Sequence, residues 1–443
     1  MSQDSGASPA HTLTLQQQRR GMRLVYLGQS AAPMILLLLH ITAFGALFIK
    51  HLGGSNLQAL LLGPLISLSR VLTVPTSLLV SPGAGKRFMI RCWMLTGLTM
   101  TAMLGATFLP VNKELKIWIV LLLIGLGGAI HATGGTFWFP LLHDLVPPQQ
   151  RGRFFGRMRT HWRASLLGAT LLAGWFLGKA PELWRFQVVI AVAVMLYLTR
   201  TYIFSKIPQG ASPVVRSDYS DWKRYVRSIL ARRKVVVFCG YFSLLGLCAG
   251  FLGTPMVLYM KFKGFPVRDN IWVFGSALLG HVAALLTAGV LVDRAGTKKV
   301  FLACHVVLWA VCFAVVGIGW LPEGQVKLCL PAALVTAGAM RSAAMVACTV
   351  QMFHLAPDRG RAFFMSLSWV LIGAGAGLAP LLAGAILDYA PEGWTAAFGG
   401  LPFDVFQVML AAAGIGMLAV MPLLLAVEDV RPREALEDAS EPK

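Results

Sequence analysis

Acidic residues are scarce in this chain, and none falls in the middle of an apolar run. Asp and Glu together number 19 against 39 Lys and Arg, and all charged residues make up only 13% of 443. So few charges cannot cover the surface of a water-soluble protein of this length, and a proton relay built on a buried carboxylate has no residue to use. The seven cysteines, Cys92, Cys239, Cys248, Cys304, Cys312, Cys329 and Cys348, lie in or beside apolar runs with no pair at metal-ligand spacing. This argues against a zinc site and a disulfide framework. Gly83-Ala-Gly85-Lys86 lacks the longer phosphate-loop pattern, and no nucleophile has a base at recognisable spacing, so no enzyme, metal or cofactor is expected.

What is present is apolar surface. Hydrophobic residues make up 56% of the chain and the mean hydropathy is +0.68. The runs are long and continuous rather than alternating, which selects helices over a barrel. At roughly 20 residues per span the length accommodates about a dozen. The expected fold is all-α and integral to the membrane. A polar tail covers 1–26, six spans fill 27–205, a linker covers 206–233, six more spans fill 234–427, and an acid-rich tail over 428–443 is expected to be disordered.

The distribution of Lys and Arg sets the orientation. Counting alternate loops and both tails, 28 fall on one side and nine on the other, and Arg70 and Arg341 are counted inside spans. Positive residues collect in the cytoplasm, so both termini are expected there and the excess charge is no sign of a nucleic-acid partner. Arg19, Arg20 and Arg23 precede a run too long for a signal-peptide core, as in an uncleaved tail. In the linker, Trp222, Tyr225, Val226, Ile229 and Leu230 recur at helical spacing with Lys223, Arg224 and Arg227 on other faces. That pattern predicts an amphipathic helix on the membrane surface, although a solvated linker would also carry such a charge run.

Two pairs of loops echo each other. Arg151-Gly152-Arg153 and Arg359-Gly360-Arg361 lie 208 residues apart, and Gly85-Lys86 lies 211 residues before Gly296-Thr297-Lys298. Nearly equal offsets imply two similar halves of about six spans. The segment Gly289-Val-Leu-Val-Asp293-Arg294-Ala-Gly296-Thr-Lys298-Lys299 resembles the loop signature of the major facilitator superfamily, found between the second and third helix of each half. The resemblance implies two pseudo-symmetric six-helix bundles. It also implies that Gly289, Asp293, Arg294, Gly296 and Lys298, with Arg151, Arg153, Arg359 and Arg361 in the other loops, take part in gating. In the family the acid meets the start of a helix in the opposite half, here around Arg159 to Arg163. The first-half copy has Pro82 where the acid should stand, so its latch is expected to be weak or absent.

An ionised side chain at mid-bilayer costs on the order of 2.5 to 3.5 kcal/mol, which makes Arg70 and Arg341 candidates for function. His281 is the repeat equivalent of Arg70. His131 and Arg341 lie at similar depth in the fourth helix of each half, and His40 is midway along the first span. The family resemblance implies that first and fourth helices line a central cavity and second helices border it. Such an arginine can equally be a structural charge bonded to carbonyls, and such a histidine a packing residue. Permanent cations without acids favour an anionic ligand, and a histidine with reference pKa near 6.5 is able to carry a proton.

The sequence therefore predicts a monomeric secondary active or facilitative transporter in the cell (inner or plasma) membrane. It would move a small organic or phosphorylated anion by alternating access. The alternatives are a non-transporting sensor, assembly factor or scaffold of the same fold, and an exporter of a neutral or lipophilic compound.

Overall fold

A computed structural model of the chain describes residues 13–31, 43–80, 82–147, 151–210, 222–357, 361–391 and 393–430. The first half contains α1 (Leu15–Ala31) and α2 (Ala43–His51), then α3 (Asn56–Leu79), α4 (Gly85–Ala106) and α5 (Lys113–Leu142). It ends with α6 (Arg151–Leu177) and α7 (Leu183–Ser205). A short helix, α8 (Trp222–Leu230), leads into the second half. There α9 (Arg233–Phe262), α10 (Val267–Ala295) and α11 (Thr297–Ile318) are followed by α12 (Glu323–Leu355) and α13 (Arg361–Tyr389). A hairpin of β1 (Thr395–Phe398) and β2 (Leu401–Asp404) precedes α14 (Val405–Leu425). Successive long helices run in alternate directions between a basic end, which carries residues 82–86 and 293–299, and a far end.

Ten helices among the described residues are long and apolar enough to cross a membrane. The expectation of about twelve spans differs by two segments with identifiable causes. Five arginines crowd the first half of α6, and residues 32–42, between α1 and α2, lie outside the described set. Apolar side chains face outward in helical rows: Trp118, Leu122 and Leu126 on α5 are 48%, 69% and 49% exposed. Such a surface is stable in lipid and not in water. The protein is a multi-pass integral membrane protein of two six-helix bundles, each with its own apolar core.

Local sequence explains where helices start and bend. Ser55 with Gln58, and Asp404 with Gln407, form capping boxes that open α3 and α14, satisfying amides that have no partner within the helix. In α3, Pro75 offers no amide to the carbonyl of Val71 and crowds it, and the chain tightens into a 3-10 turn over Arg70–Leu72. The hydroxyls of Thr73 and Thr76 bond back to the carbonyls of Arg70 and Leu72 at 2.7 and 2.6 Å. In α9 the helix stops at Gly250 and resumes at Pro255, which suits a helix N-terminus because its missing amide would have no partner there.

Small residues set the closest contacts. A methyl group on Gly280 would overlap the carbonyl of Val335, and one on Gly338 would overlap that of Ala277, so α10 and α12 touch backbone to backbone. Gly375 of α13 lies likewise against the carbonyl of Ser243 in α9, whereas Gly377 and Gly384 face Ser67 and Leu57 of the other half. The glycine-rich stretch of α13 thus packs one face within its bundle and the other across the seam between halves. The second seam is α6 against α10, with Thr170 beside Gly275 and Trp272 beside Gly174.

Candidate functional site

On the α6–α10 seam, Arg163 of one half and His281 of the other lie within electrostatic range of each other. Arg163 lies twelve residues beyond Arg151 in a continuous helix, roughly 18 Å from its start. The sequence reading put Arg163 at the start of its span; the helix begins twelve residues earlier, at Arg151. Across the seam, His281 stands beside Gly338 on α12, and Arg163 and Arg341 both act on it electrostatically. The His281 Nδ1 lies 2.6 Å from the carbonyl of Ala277. That bond assigns the proton to Nδ1 and leaves Nε2 as an acceptor in the neutral ring.

Arg341 is half-buried, and its guanidinium donates to the carbonyl of Ala249, in the last turn before the break in α9. A cation at the C-terminal end of a helix segment is favourable, because unpaired carbonyls gather there. One donor is committed to this bond; an arginine has five. Arg163 lies over the ring of Trp162 at 4.5 Å, and Arg159 stands one turn earlier. Among the described residues no carboxylate pairs with these groups: the ion pairs are Lys234–Glu428, Lys263–Asp404, Arg268–Asp269 and Lys327–Glu323, all at helix ends.

The other candidates lie elsewhere. Arg70, in the 3-10 turn of α3, is exposed, and its guanidinium has no partner among the described residues. Among the described residues no hydrogen bond or ion pair joins it to Arg163, His281 or Arg341. His131 belongs to the interior of the first bundle: its Nδ1 is 2.7 Å from the Tyr197 hydroxyl, and its ring stacks on Trp93 at 5.8 Å. His40 falls outside the described residues, as do the side chains of Arg151, Arg153, Arg359 and Arg361.

Counting charge by loops missed Arg200. It was assigned to the basic side, yet it is only 6% exposed inside the first bundle, with its guanidinium 4.3 Å from the Trp93 ring and 4.8 Å from that of Phe204. Aromatic faces stabilise a desolvated guanidinium where no acid is available. The available signal was its position within the apolar run 184–205.

The loop 293–299 is bonded differently from expectation. Asp293 and Arg294 are exposed, nothing lies within 4 Å of a methyl placed on Gly289, and Asp293 has no ion pair or hydrogen bond among the described residues. Among the described residues no hydrogen bond or ion pair joins Asp293 to Arg159 or Arg163 of α6. The loop is instead tied to its own half. Gly296 turns with φ 84°, the Lys298 amide donates to Asp429 at 3.0 Å, and Lys298 Nζ donates to the carbonyl of Leu425 at 2.6 Å. Thr297 bonds Gln351 at 2.7 Å and accepts from the amide of Val430 at 3.1 Å. The expectation of a disordered tail fails for residues 428–430, because Asp429 is an acid at the N-terminus of α11, where amide donors and the helix dipole hold it.

A latch between halves does exist, at the far end. Asp388 of α13 accepts from the amides of Asn56 and Leu57, at the start of α3, at 2.8 and 2.9 Å. On the other seam, Val267 and Arg268 donate to the carbonyls of Lys179 and Gly178 at 3.1 and 3.0 Å, and Trp272 donates to that of Leu171 at 3.1 Å. Toward the basic end α10 buries only the row Ala284, Ala288 and Val292, packed into the second-half core. Hydrogen bonds thus join the halves on both seams toward the far end, and toward the basic end Val74 and Leu78 of α3 pack against the second-half core.

Residues 242–442 match the family pattern of the Major Facilitator Superfamily. The fold resembles solved structures over nearly the whole chain. These include the nucleoside transporter NupG, with TM-score 0.62 and 13% identity over 92% of this chain and 99% of that one. A bacterial homologue of the iron transporter ferroportin in an inward-facing state gives 0.63 and 12% over 94% and 99%. The second half of the chain thus resembles the major facilitator superfamily in sequence, and the whole chain resembles solved transporters in fold. Among curated relatives, the multidrug resistance protein MdtH of Shigella flexneri is 29% identical over 160 residues, 36% of this chain and 38% of that protein. The MdtH of Escherichia coli is 28% identical over the same shares. The match therefore spans well under half of these relatives' length.

Proposed function

We propose that the protein is a transporter that moves a small anionic solute by alternating access, with its basic end in the cytoplasm. The observation that carries this reading is that Arg163, from one half, and Arg341, from the other, each midway along its helix, both act on His281, while no ion pair among the described residues includes any of the three. An anion bridging Arg163 and Arg341 would supply the missing charge, with charge-assisted hydrogen bonds that are stronger than neutral ones. His281 would add polarity, and a proton when it titrates. Arg70 would meet the solute on its path along α3. In this reading the far-end bonds are those of an inward-facing state.

Exchange or uptake by proteoliposomes tests the proposal. Arg163→Gln is expected to reduce transport by roughly ten- to hundredfold, the equivalent of one charged hydrogen bond of about 1.5 to 3 kcal/mol. Stabilisation of purified protein by cationic solutes alone, with none from matched anions, would overturn it. Export of a lipophilic compound is the second reading, favoured by the partial likeness to multidrug resistance proteins. It predicts stabilisation by neutral lipophiles and no effect of Arg163→Gln.

A further inference from the structure

At the basic end, where α8 turns into α9, a cleft of about 320 Å³ is lined by Arg232, Arg233, Lys234, Val235, His354, Leu355 and Glu428. Lys234 is committed to Glu428 at 2.9 Å. Arg232 and Arg233 are exposed, and neither guanidinium has a partner among the described residues. Buried Val235 and half-buried Leu355 give the same cleft an apolar wall. Two free guanidiniums beside aliphatic side chains match an amphiphile better than a freely soluble anion.

The position of the cleft points the same way. The apolar span of α9 begins at Arg233, so the cleft stands where lipid headgroups meet hydrocarbon. Beside it α8 is moored to the second bundle by Ile229, which is buried in that core, and by Tyr225, whose ring is 5.4 Å from that of Phe363. Trp222 and Leu230 remain 44% and 43% exposed, with Lys223, Arg224 and Arg227 also exposed. A fixed helix that shows tryptophan, leucine and basic residues together suits a membrane surface.

We infer that this cleft binds the phosphate of an anionic membrane lipid, with Arg232 and Arg233 on the phosphate oxygens and Val235 and Leu355 along the start of the acyl chains. The inference does not depend on the transport proposal. Native mass spectrometry of the purified full chain, titrated with phosphatidylglycerol or phosphatidylcholine, tests it. Phosphatidylglycerol should be retained preferentially, and Arg232→Gln/Arg233→Gln should weaken it about thirtyfold, from two headgroup-level cations. The charge-matched Lys223→Gln/Arg224→Gln, on the open face of α8, should weaken it by less than about fivefold, the effect of a single such cation. Equal losses in the two variants would overturn the inference in favour of diffuse attraction. Displacement of the lipid by inorganic phosphate or glycerol 3-phosphate would overturn it in favour of a soluble-anion site.

Discussion

Lys86 in the first half and Lys298 in the second serve the same purpose in loops that otherwise differ. Each reaches the end of the last long helix of its own half: Lys86 the carbonyl of Ile207 at 2.5 Å, Lys298 that of Leu425 at 2.6 Å. A cation at a helix C-terminus is favourable whatever surrounds it, because it meets carbonyls without partners. Beyond this the second-half loop gathers Gln351, Asp429 and Val430 through Thr297 and Lys298, while the first-half loop has Pro82 where an acid was sought. The comparison separates two functions that the loop signature merges. The lysine fastens a bundle to itself, whereas the acid at position 293 is exposed and without a partner among the described residues.

The comparison breaks most severely at the paired glycines. Gly296→Ala would force a side chain into φ 84° and set its methyl 2.5 Å from Asp429 Oδ1. The expected cost is about 2 to 4 kcal/mol, from strain plus the displaced acid. Gly85→Ala meets only the ring edge of Phe137, at 2.5 Å, which can turn aside. Thermal unfolding in detergent should rank the two in that order, and equal losses would mean that the loops are bonded alike. Next in size is the acid that does join the halves. Asp388→Asn should weaken two bonds to the start of α3, by about 1 to 3 kcal/mol, and raise cysteine-label access from the far end. Asp293→Asn, without a partner in this conformation, should leave far-end access unchanged. Smallest is the shared feature: Lys86→Met and Lys298→Met should each cost about 0.3 to 1 kcal/mol and add in the double variant. A strongly non-additive result would show that the two loops communicate.

Much of this architecture was legible in the sequence, because hydropathy, charge placement and loop offsets are local quantities. The break at Arg70 to Leu72 beside Pro75 and the seam on the glycines of α13 emerge only in the structure. Pairings between distant residues could not be read. Nothing near Arg200 announces the rings of Trp93 and Phe204, and nothing near Asp388 announces the first amides of α3. His131 and Arg341 occupy matching depths, yet one turns to Tyr197 inside its bundle and the other to a broken helix beside the seam. Their difference depends on rotation about the helix axis, to which loop counting is blind.

The backbone contact of Gly280 and Gly338 has a mechanical consequence. It makes α10 and α12 a single stiff plate, so His281 and Arg341 keep a fixed spacing however the bundles rock. Arg163 stands on the opposing body. An anion held by both sides would be loaded in tension whenever the seam widens. The strength of its grip would then set how far the protein can swing before the cargo lets go.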